Sequence, residues 1–383
     1  MHVVLGTPIY PPEIGGPATY TREIAERLRG KVAFTVVAYA DHATPVGDAK
    51  LVAVSKLSPM PVRLVRYFFA LWGASRGADL IYVQNAMAAG LPAVLVSKLR
   101  GIPVLLKFVG DEAWERSSQR RETTLELQAF LAAPAPSWRI RLMRSIQGWV
   151  LRHATAVVTP SAYLREVLIT YYRVRPEHAV VNYNAAEETE FNSFPVERKP
   201  HQIAVTARLV AWKGVAGIIR AVKILAARVP DVSLAIAGDG PEEKNLHALT
   251  KELELENRVY FLGRISRAET WHLRKSSGVY VLNSTYEGLP HTMLTSFAAE
   301  IPNVATDIPG TNEAIYHEDT GLLVKPGDDE ALANAIERIF DDEALREKLI
   351  ENGKKLLVKK FSWESHQARL LELFETLAHK PLR

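Results

Sequence analysis

Short apolar runs alternate with segments of helical periodicity along the whole chain. In the first half, Val3–Gly6, Ala33–Ala38, Leu80–Gln84, Val104–Phe108, Ala156–Thr159 and Ala179–Asn182 read as strands. The second half repeats the pattern at Ile203–Ala207, Ser233–Ala237, Val259–Leu262, Val279–Asn283, Asn303–Thr306 and Leu322–Val324. Between them, Tyr20, Ile24 and Leu28, or Val215, Ile218, Ile219, Val222 and Leu225, recur at the spacing that buries one helical face. Apolar runs buried on both sides and separated by helices predict parallel sheets with crossover helices, an α/β fold.

The alternation falters once, at the polar, proline-bounded stretch from Ala185 to Pro200. Two doubly wound, Rossmann-like domains facing a central cleft are therefore expected, at 1–185 and 201–360, joined by a linker at 186–200. A last helical segment follows at 361–383. Ligands of such sheets bind beyond the carboxyl ends of the strands.

Composition narrows the function classes. There is no cysteine, which excludes disulfides and thiolate metal sites. The eleven histidines lack metal-binding spacing, and no Asp-x-Asp ends a strand, so no metal is expected. A net charge of +4 is too small to imply nucleic acid. No apolar run approaches the ~18 residues of a spanning helix, and no leader precedes the first strand, so a cytoplasmic protein is expected. One segment, 138–152, carries Arg139, Arg141, Arg144 and Arg152 without an acid, beside an apolar stripe of Leu142, Ile146 and Trp149. It reads either as a core helix with a cationic solvent face or as a peripheral contact with the inner face of a membrane.

The chemistry concentrates in loops. Arg208 and Lys213 follow an apolar strand in Thr206-Ala207-Arg208-Leu209-Val210-Ala211-Trp212-Lys213-Gly214. Glu287 closes another strand and opens Glu287-Gly288-Leu289-Pro290-His291, which leads into a helix. Cations neutralise phosphate, loop N–H groups hold oxyanions and a carboxylate holds hydroxyls, so the two segments suit a phosphorylated, hydroxylated ligand. Gly15-Gly16-Pro17 gives a second loop that opens a helix, and the dinucleotide fingerprint Gly-x-Gly-x-x-Gly is absent.

With Ala237-Gly238-Asp239-Gly240-Pro241-Glu242 between them, these residues resemble the C-terminal half of the family 4 retaining glycosyltransferases. The resemblance implies the GT-B fold, with 201–360 binding a nucleotide-sugar, 1–185 serving the acceptor and 361–383 packing back on the N-terminal domain. It assigns the donor pyrophosphate to Arg208 and Lys213 and the donor sugar to Glu287. It places Gly15 and Gly16 over the phosphates, Gly240 and Leu262 by the nucleotide, and Gly288, Leu289, Pro290 and His291 in the phosphate loop. Asp111 falls near the transferred sugar, with a helix N-cap as its competing role. The implied reaction moves a sugar from a nucleoside diphosphate, a UDP-sugar being favoured, to a glycan or lipid-linked acceptor hydroxyl with retention and without a further cofactor.

The chain departs from the family pattern twice. Thr295 stands where a second glutamate grips the ribose, and Glu300 stands where a glycine ends the helix. Threonine offers at most one weaker contact, costing on the order of 1–3 kcal/mol of donor binding. An alternative reading is therefore a non-catalytic, sugar-nucleotide- or partner-binding relative of the same fold. A nicotinamide oxidoreductase lacks its glycine fingerprint, and an epimerase of the same fold fits Arg-x₄-Lys with Glu-Gly-Leu-Pro less well.

Overall fold

A computed structural model describes residues 1–13, 15–186 and 196–379, so the middle of the expected 186–200 linker lies outside the described residues. The chain divides into two compact units, Met1–Asn182 with Glu364–Arg383, and Tyr183–Trp363.

The first unit runs β1 (His2–Thr7), α1 (Gly16–Arg27), β2 (Ala33–Tyr39), β3 (Lys50–Val54), α2 (Met60–Ala74), β4 (Leu80–Gln84) and α3 (Leu91–Arg100). It continues with β5 (Val104–Lys107), α4 (Glu112–Gln119), α5 (Leu127–Ala132), α6 (Trp138–His153), β6 (Ala156–Thr159), α7 (Ala162–Thr170) and β7 (Ala179–Val181). All neighbours are parallel, in the order β3-β2-β1-β4-β5-β6-β7, with Leu5 opposite both Val36 and Tyr82. Val3, Val4 and Leu5 are inaccessible, as a central strand covered on both faces requires. Every strand expected in this half is present, and β3 is an addition at the sheet edge.

The expected apolar stripe of α6 needs correction. Its buried residues are Ile140, Gln147, Gly148, Val150 and Leu151, whereas Leu142 points to solvent. Gly148 is buried because a Cβ there would lie 3.2 Å from the Tyr172 ring, so the helix seats on its small residue rather than on its largest ones.

The second unit runs β8 (Lys199–Thr206), α8 (Val215–Leu225), β9 (Ser233–Ala237), α9 (Glu243–Glu252), β10 (Val259–Gly263), α10 (Arg267–Ser276) and β11 (Ser277–Leu282). Then follow α11 (His291–Ala298), β12 (Asn303–Thr306), β13 (Leu322–Val324), α12 (Asp329–Asp341) and α13 (Glu343–Lys360). Its parallel sheet has the order β10-β9-β8-β11-β12-β13, so the strand order reverses between β8 and β11. One face buries Ile218, Ile219 and Val222 of α8 with Ile336 of α12; the other buries Met293 and Phe297 of α11 with Leu357 of α13.

Helix α14 (Trp363–Ala378) ends the described chain, and from Glu364 it packs with the first unit. Leu370 and Phe374 are fully buried, the Phe374 ring lies 5.3 Å from that of Tyr82, and His366 Nε2 is 2.8 Å from the Tyr20 hydroxyl.

Glu300 adopts φ 56°, the left-handed conformation for which glycine is the usual residue. Its N–H donates to Phe297 O and that of Ile301 to Ser296 O, which together close α11 in a Schellman motif. Lys354 at 3.0 Å and Lys275 at 3.8 Å hold the Glu300 carboxylate below its usual pKa, mainly through the hydrogen bond from Lys354.

Candidate functional site

The carboxyl ends of β8 and β11 flank the point where strand order reverses, the place where open parallel sheets bind ligands. Both principal motifs leave from there. After β8 the chain makes a short turn, Ala211–Lys213, closed by Gly214 at φ 62°. After β11 it passes Asn283 and Ser284, reaches Glu287 and enters α11 at His291.

Backbone contact sets the distance between these loops. A Cβ on Gly214 would sit 1.9 Å from Asn283 O, a position only glycine can occupy. Asn283 Nδ2 donates to Gly214 O at 3.0 Å, and Thr285 N donates to Trp212 O at 2.8 Å. A third loop joins from β9. Gly238, at φ 132°, and Gly240 would place a Cβ 1.9 Å from Ala207 O and 2.3 Å from Leu209 O, respectively. Leu209 N donates to Asp239 O at 2.8 Å and Glu242 N donates back to Leu209 O at 3.0 Å. Gly310 does the same from a fourth loop, 2.3 Å short of Glu287 O. Two loops are thus tied by main chain to the one that carries Arg208 and Lys213, and a fourth lies against Glu287.

Two of the predicted residues meet directly: Lys213 Nζ donates to Glu287 Oε1 at 2.5 Å. Ser284 Oγ donates to the same oxygen at 2.7 Å, which leaves Oε2 without a partner among the described residues. Glu287 is only 8% exposed, so the pair is held in a partly desolvated place where each charge weighs more than in water. Arg208 is different. Its side chain is exposed and has no ion pair or hydrogen bond among the described residues, while its neighbour Asp239 is paired to Arg264 at 2.8 Å. The site therefore offers one free guanidinium, one ammonium tied to a carboxylate and one carboxylate oxygen facing away from that tie.

Gly288, Leu289 and Pro290 are buried and lead into α11, whose N-cap is Pro290 and whose first turn holds no acid and no side-chain cap. An uncapped, acid-free helix start favours an anion. His291 is exposed, with Nε2 3.0 Å from Ala185 O. Thr295 spends its hydroxyl on its own helix, donating to Thr292 O at 2.9 Å. Leu262 lies apart from this cluster. It lines a cavity of about 1030 Å³ together with Gln202, Ser233, Tyr260 and Trp271, a hollow that runs toward the amino ends of β8 and β9. The end of β10 still touches the site through main chain, with Gly238 N donating to Gly263 O at 2.7 Å.

In the first unit, Gly15 is the N-cap of α1 with Pro17 in the first turn, again without an acid or a side-chain cap, and the space beside Gly16 is open. Asp111 is inaccessible. One oxygen accepts from Trp114 N at 2.8 Å as the N-cap of α4; the other accepts from Gln147 Nε2 at 2.8 Å and from the Tyr172 hydroxyl. Burial raises its pKa against the pull of those hydrogen bonds. Both oxygens are filled, so the structure displays the capping role and not a group open to a sugar.

Asn283, Ser284, Gly214 and Gly310 complete the site, though the sequence had assigned none of them a role of its own. Asn283 and Ser284 adjoin Glu287 and Gly214 follows Lys213, so proximity in sequence was the available signal. Gly310, in a separate loop, left none. Among the described residues, no group of three His, Cys, Asp or Glu side chains is placed to hold a metal ion.

Comparison with known proteins agrees with this geometry. Residues 15–185 match the model of the glycosyl transferase 4-like domain, and residues 186–356 match that of glycosyl transferases group 1. The fold is found in solved structures. Anabaena Alr3699/HepE in complex with UDP superposes at TM-score 0.78 and 20% identity, over 98% of this chain and 100% of that one. The apo lipopolysaccharide outer core galactosyltransferase WaaB does so at TM-score 0.69 and 16% identity, over 98% and 99%. These define a GT-B fold of two Rossmann-like lobes. The chain belongs to the GT-B glycosyltransferases, related to the family-4-like members. Among curated relatives, the lipopolysaccharide core biosynthesis glycosyltransferase LpsD of Rhizobium meliloti is 35% identical over 210 residues, 55% of this chain and 57% of LpsD. LpsE of the same organism is 38% identical over 174 residues, 45% and 48%. The chain thus spans about half the length of the curated relatives it matches.

Proposed function

We propose that the chain is a retaining, metal-independent glycosyltransferase. It takes a sugar from a nucleoside diphosphate, by preference UDP, and passes it to an acceptor hydroxyl in glycan or glycolipid assembly. The observation that carries this reading is the Lys213–Glu287 contact of 2.5 Å beside the free Arg208. The acceptor falls to the first unit, and a lipid-linked glycan is its favoured class. A user of sugar nucleotides is expected in the cytoplasm, at the inner face of the membrane. The UDP bound by Anabaena HepE and the lipopolysaccharide core role in the name of LpsD support the donor and the acceptor class.

In the proposed reaction the bond from the anomeric carbon to the diphosphate oxygen breaks as the acceptor oxygen bonds to the same face of that carbon. The acceptor proton passes to the departing diphosphate oxygen. Arg208 and Lys213 stabilise the negative charge growing on the diphosphate, so no metal cation is required for that task. Glu287 Oε2 accepts from a sugar hydroxyl while Oε1 orients Lys213. Arg208→Ala and Lys213→Ala are each expected to lower turnover at least ~100-fold, the scale of losing one such group. Near-normal rates in either variant refute the assignment. Donor binding is read separately, as stabilisation by UDP of about 2.7 kcal/mol at one hundred times the dissociation constant.

The non-catalytic reading draws on one observation, that the Thr295 hydroxyl is already committed to Thr292 O. Thr295→Glu discriminates: tighter UDP binding favours a weakened enzyme, and no change in binding favours a rearranged site.

A further inference from the structure

The outer surface of the first unit carries a face that does not look like a water-facing one. Helix α2 turns Tyr67 and Leu71 inward and sends Val62, Val65 and Phe69 outward, preceded by the exposed Leu57 and Met60. Val65 and Phe69 are 56% and 63% exposed, at positions where a solvated helix carries charge. Helix α3 packs against α2 and exposes Leu95 and Leu99, the latter at 67%. Helix α6 packs against α3 and exposes Trp138 and Leu142, at 69% and 52%. Cation–aromatic contacts join the three: Arg100 of α3 lies 3.9 Å from the ring of Trp72 on α2, and Lys98 of α3 lies 5.2 Å from that of Trp149 on α6.

Charge identifies the occupant. None of the three helices contains an aspartate or a glutamate. Between them they carry Arg63, Arg66, Lys98, Arg100, Arg139 and Arg141, while Arg144 and Arg152 of α6 are spent on the carbonyls of Phe130 and Ala133 and of Tyr172. An apolar protein partner would not require three neighbouring helices free of acids. Exposed leucine, phenylalanine and tryptophan set among long cationic side chains suit a polyanionic surface with an apolar interior, because the rings and aliphatic stems enter the acyl boundary while the cations stay at the headgroups. No described helix is long and apolar enough to cross a membrane, so such a face lies on a bilayer rather than through it.

We infer that the acid-free face formed by α2, α3 and α6 docks this protein onto an anionic phospholipid bilayer. The inference is independent of the donor-site reading. It extends the basic segment 138–152 to a three-helix surface whose apolar content comes largely from α2 and α3.

The test is co-sedimentation of the full chain with vesicles of phosphatidylglycerol and phosphatidylcholine, against vesicles of phosphatidylcholine alone, at low and high salt. Binding is expected to anionic vesicles, to weaken at least tenfold at high salt, and to fall at least tenfold in Val65→Glu/Phe69→Glu. Both substitutions lie at exposed positions, and an unchanged melting temperature in that variant shows that it folds. UDP stabilisation, unchanged in the variant, separates this result from the donor site. The inference is overturned by absence of binding to anionic vesicles, by equal binding to neutral ones, or by undiminished binding of the variant. A dimer in solution that Val65→Glu/Phe69→Glu dissolves overturns it as well, since the face then belongs to a second copy.

Discussion

Lys107, the last residue of β5, is 5% exposed, and its ammonium has no ion pair or hydrogen bond among the described residues. Its ammonium lies 3.3 Å from the centroid of the Tyr20 ring. Burial pushes its pKa down to about 7, against an ordinary value of 10.5. The folded state thus holds a neutral lysine over a range where the unfolded chain holds a charged one. The unfolded state binds more protons between about pH 7 and 10.5, so stability rises with pH there, by up to ~1.4 kcal/mol per unit from this group. Integrated over that window, the uncharging of Lys107 costs the fold on the order of 4 kcal/mol at pH 7 and about 1.5 kcal/mol at pH 9.5. Contact with Tyr20 offsets part of the cost while the lysine is charged, by at most ~2 kcal/mol. Lys107→Met keeps the apolar stem and removes the charge. It is expected to stabilise the first unit by about 2–4 kcal/mol at pH 7, with the gain shrinking to below about 1.5 kcal/mol at pH 9.5. Urea unfolding of both proteins at the two pH values measures this, taking the transition of the first unit alone because two units need not unfold together. A gain that does not change with pH, or a loss of stability at both values, refutes the reasoning.

Two further outcomes follow from backbone geometry. Glu300→Gly relieves a left-handed residue and loses two partly exposed ion pairs, whereas Glu300→Ala keeps the strain and loses the pairs; urea midpoints are expected to rise for glycine, by up to about 1 kcal/mol, and to fall for alanine. Gly214→Ala drives a methyl group into Asn283 O at φ 62°, so it is expected to cost more than about 1–3 kcal/mol and to abolish UDP stabilisation; a variant with normal UDP response shows that the loop approach is dispensable.

Most strands were legible because their apolar runs are buried on both faces, edge strand β10, with Tyr260 and Leu262 exposed, being an exception. All twelve expected segments became strands, although β8 begins at Lys199 and β11 at Ser277, ahead of their apolar runs. Edge strand β3 went unread. Its Leu51-Val52-Ala53-Val54 is as apolar as segments that were read as strands, and what sets it apart, pairing on one side only with four of five residues at least partly exposed, appears only in the fold. Side-chain placement was harder. The stripe Leu142–Ile146–Trp149 fits a helical period, but the period cannot say which face a helix turns inward when a glycine on another face allows closer approach. Asp111 shows the same limit. Its place after a strand suits an active site and an N-cap alike, and only the arrival of Gln147 from α6 and Tyr172 from the turn after α7 fills its second oxygen. For Lys213 and Glu287, 74 residues apart, the types and loops were readable and the contact was not. It depends on Gly214 and Asn283 drawing two loops together.

That division also bears on Thr295. In the proposed reaction the phosphate side of the site rests on main chain, the start of α11, Arg208 and Lys213, none of which involves the Thr295 hydroxyl. In the proposed reaction the charge that changes between ground and transition state sits on the leaving diphosphate. A ribose contact is the same in both states, so weakening it lowers donor affinity without raising the barrier from the bound donor. The Arg208 and Lys213 interactions strengthen as the bond breaks, so their loss raises that barrier. In the proposed reaction Thr295 therefore raises the KM for the donor and preserves turnover, whereas loss of Arg208 or of Lys213, which is 2.5 Å from Glu287, lowers turnover itself.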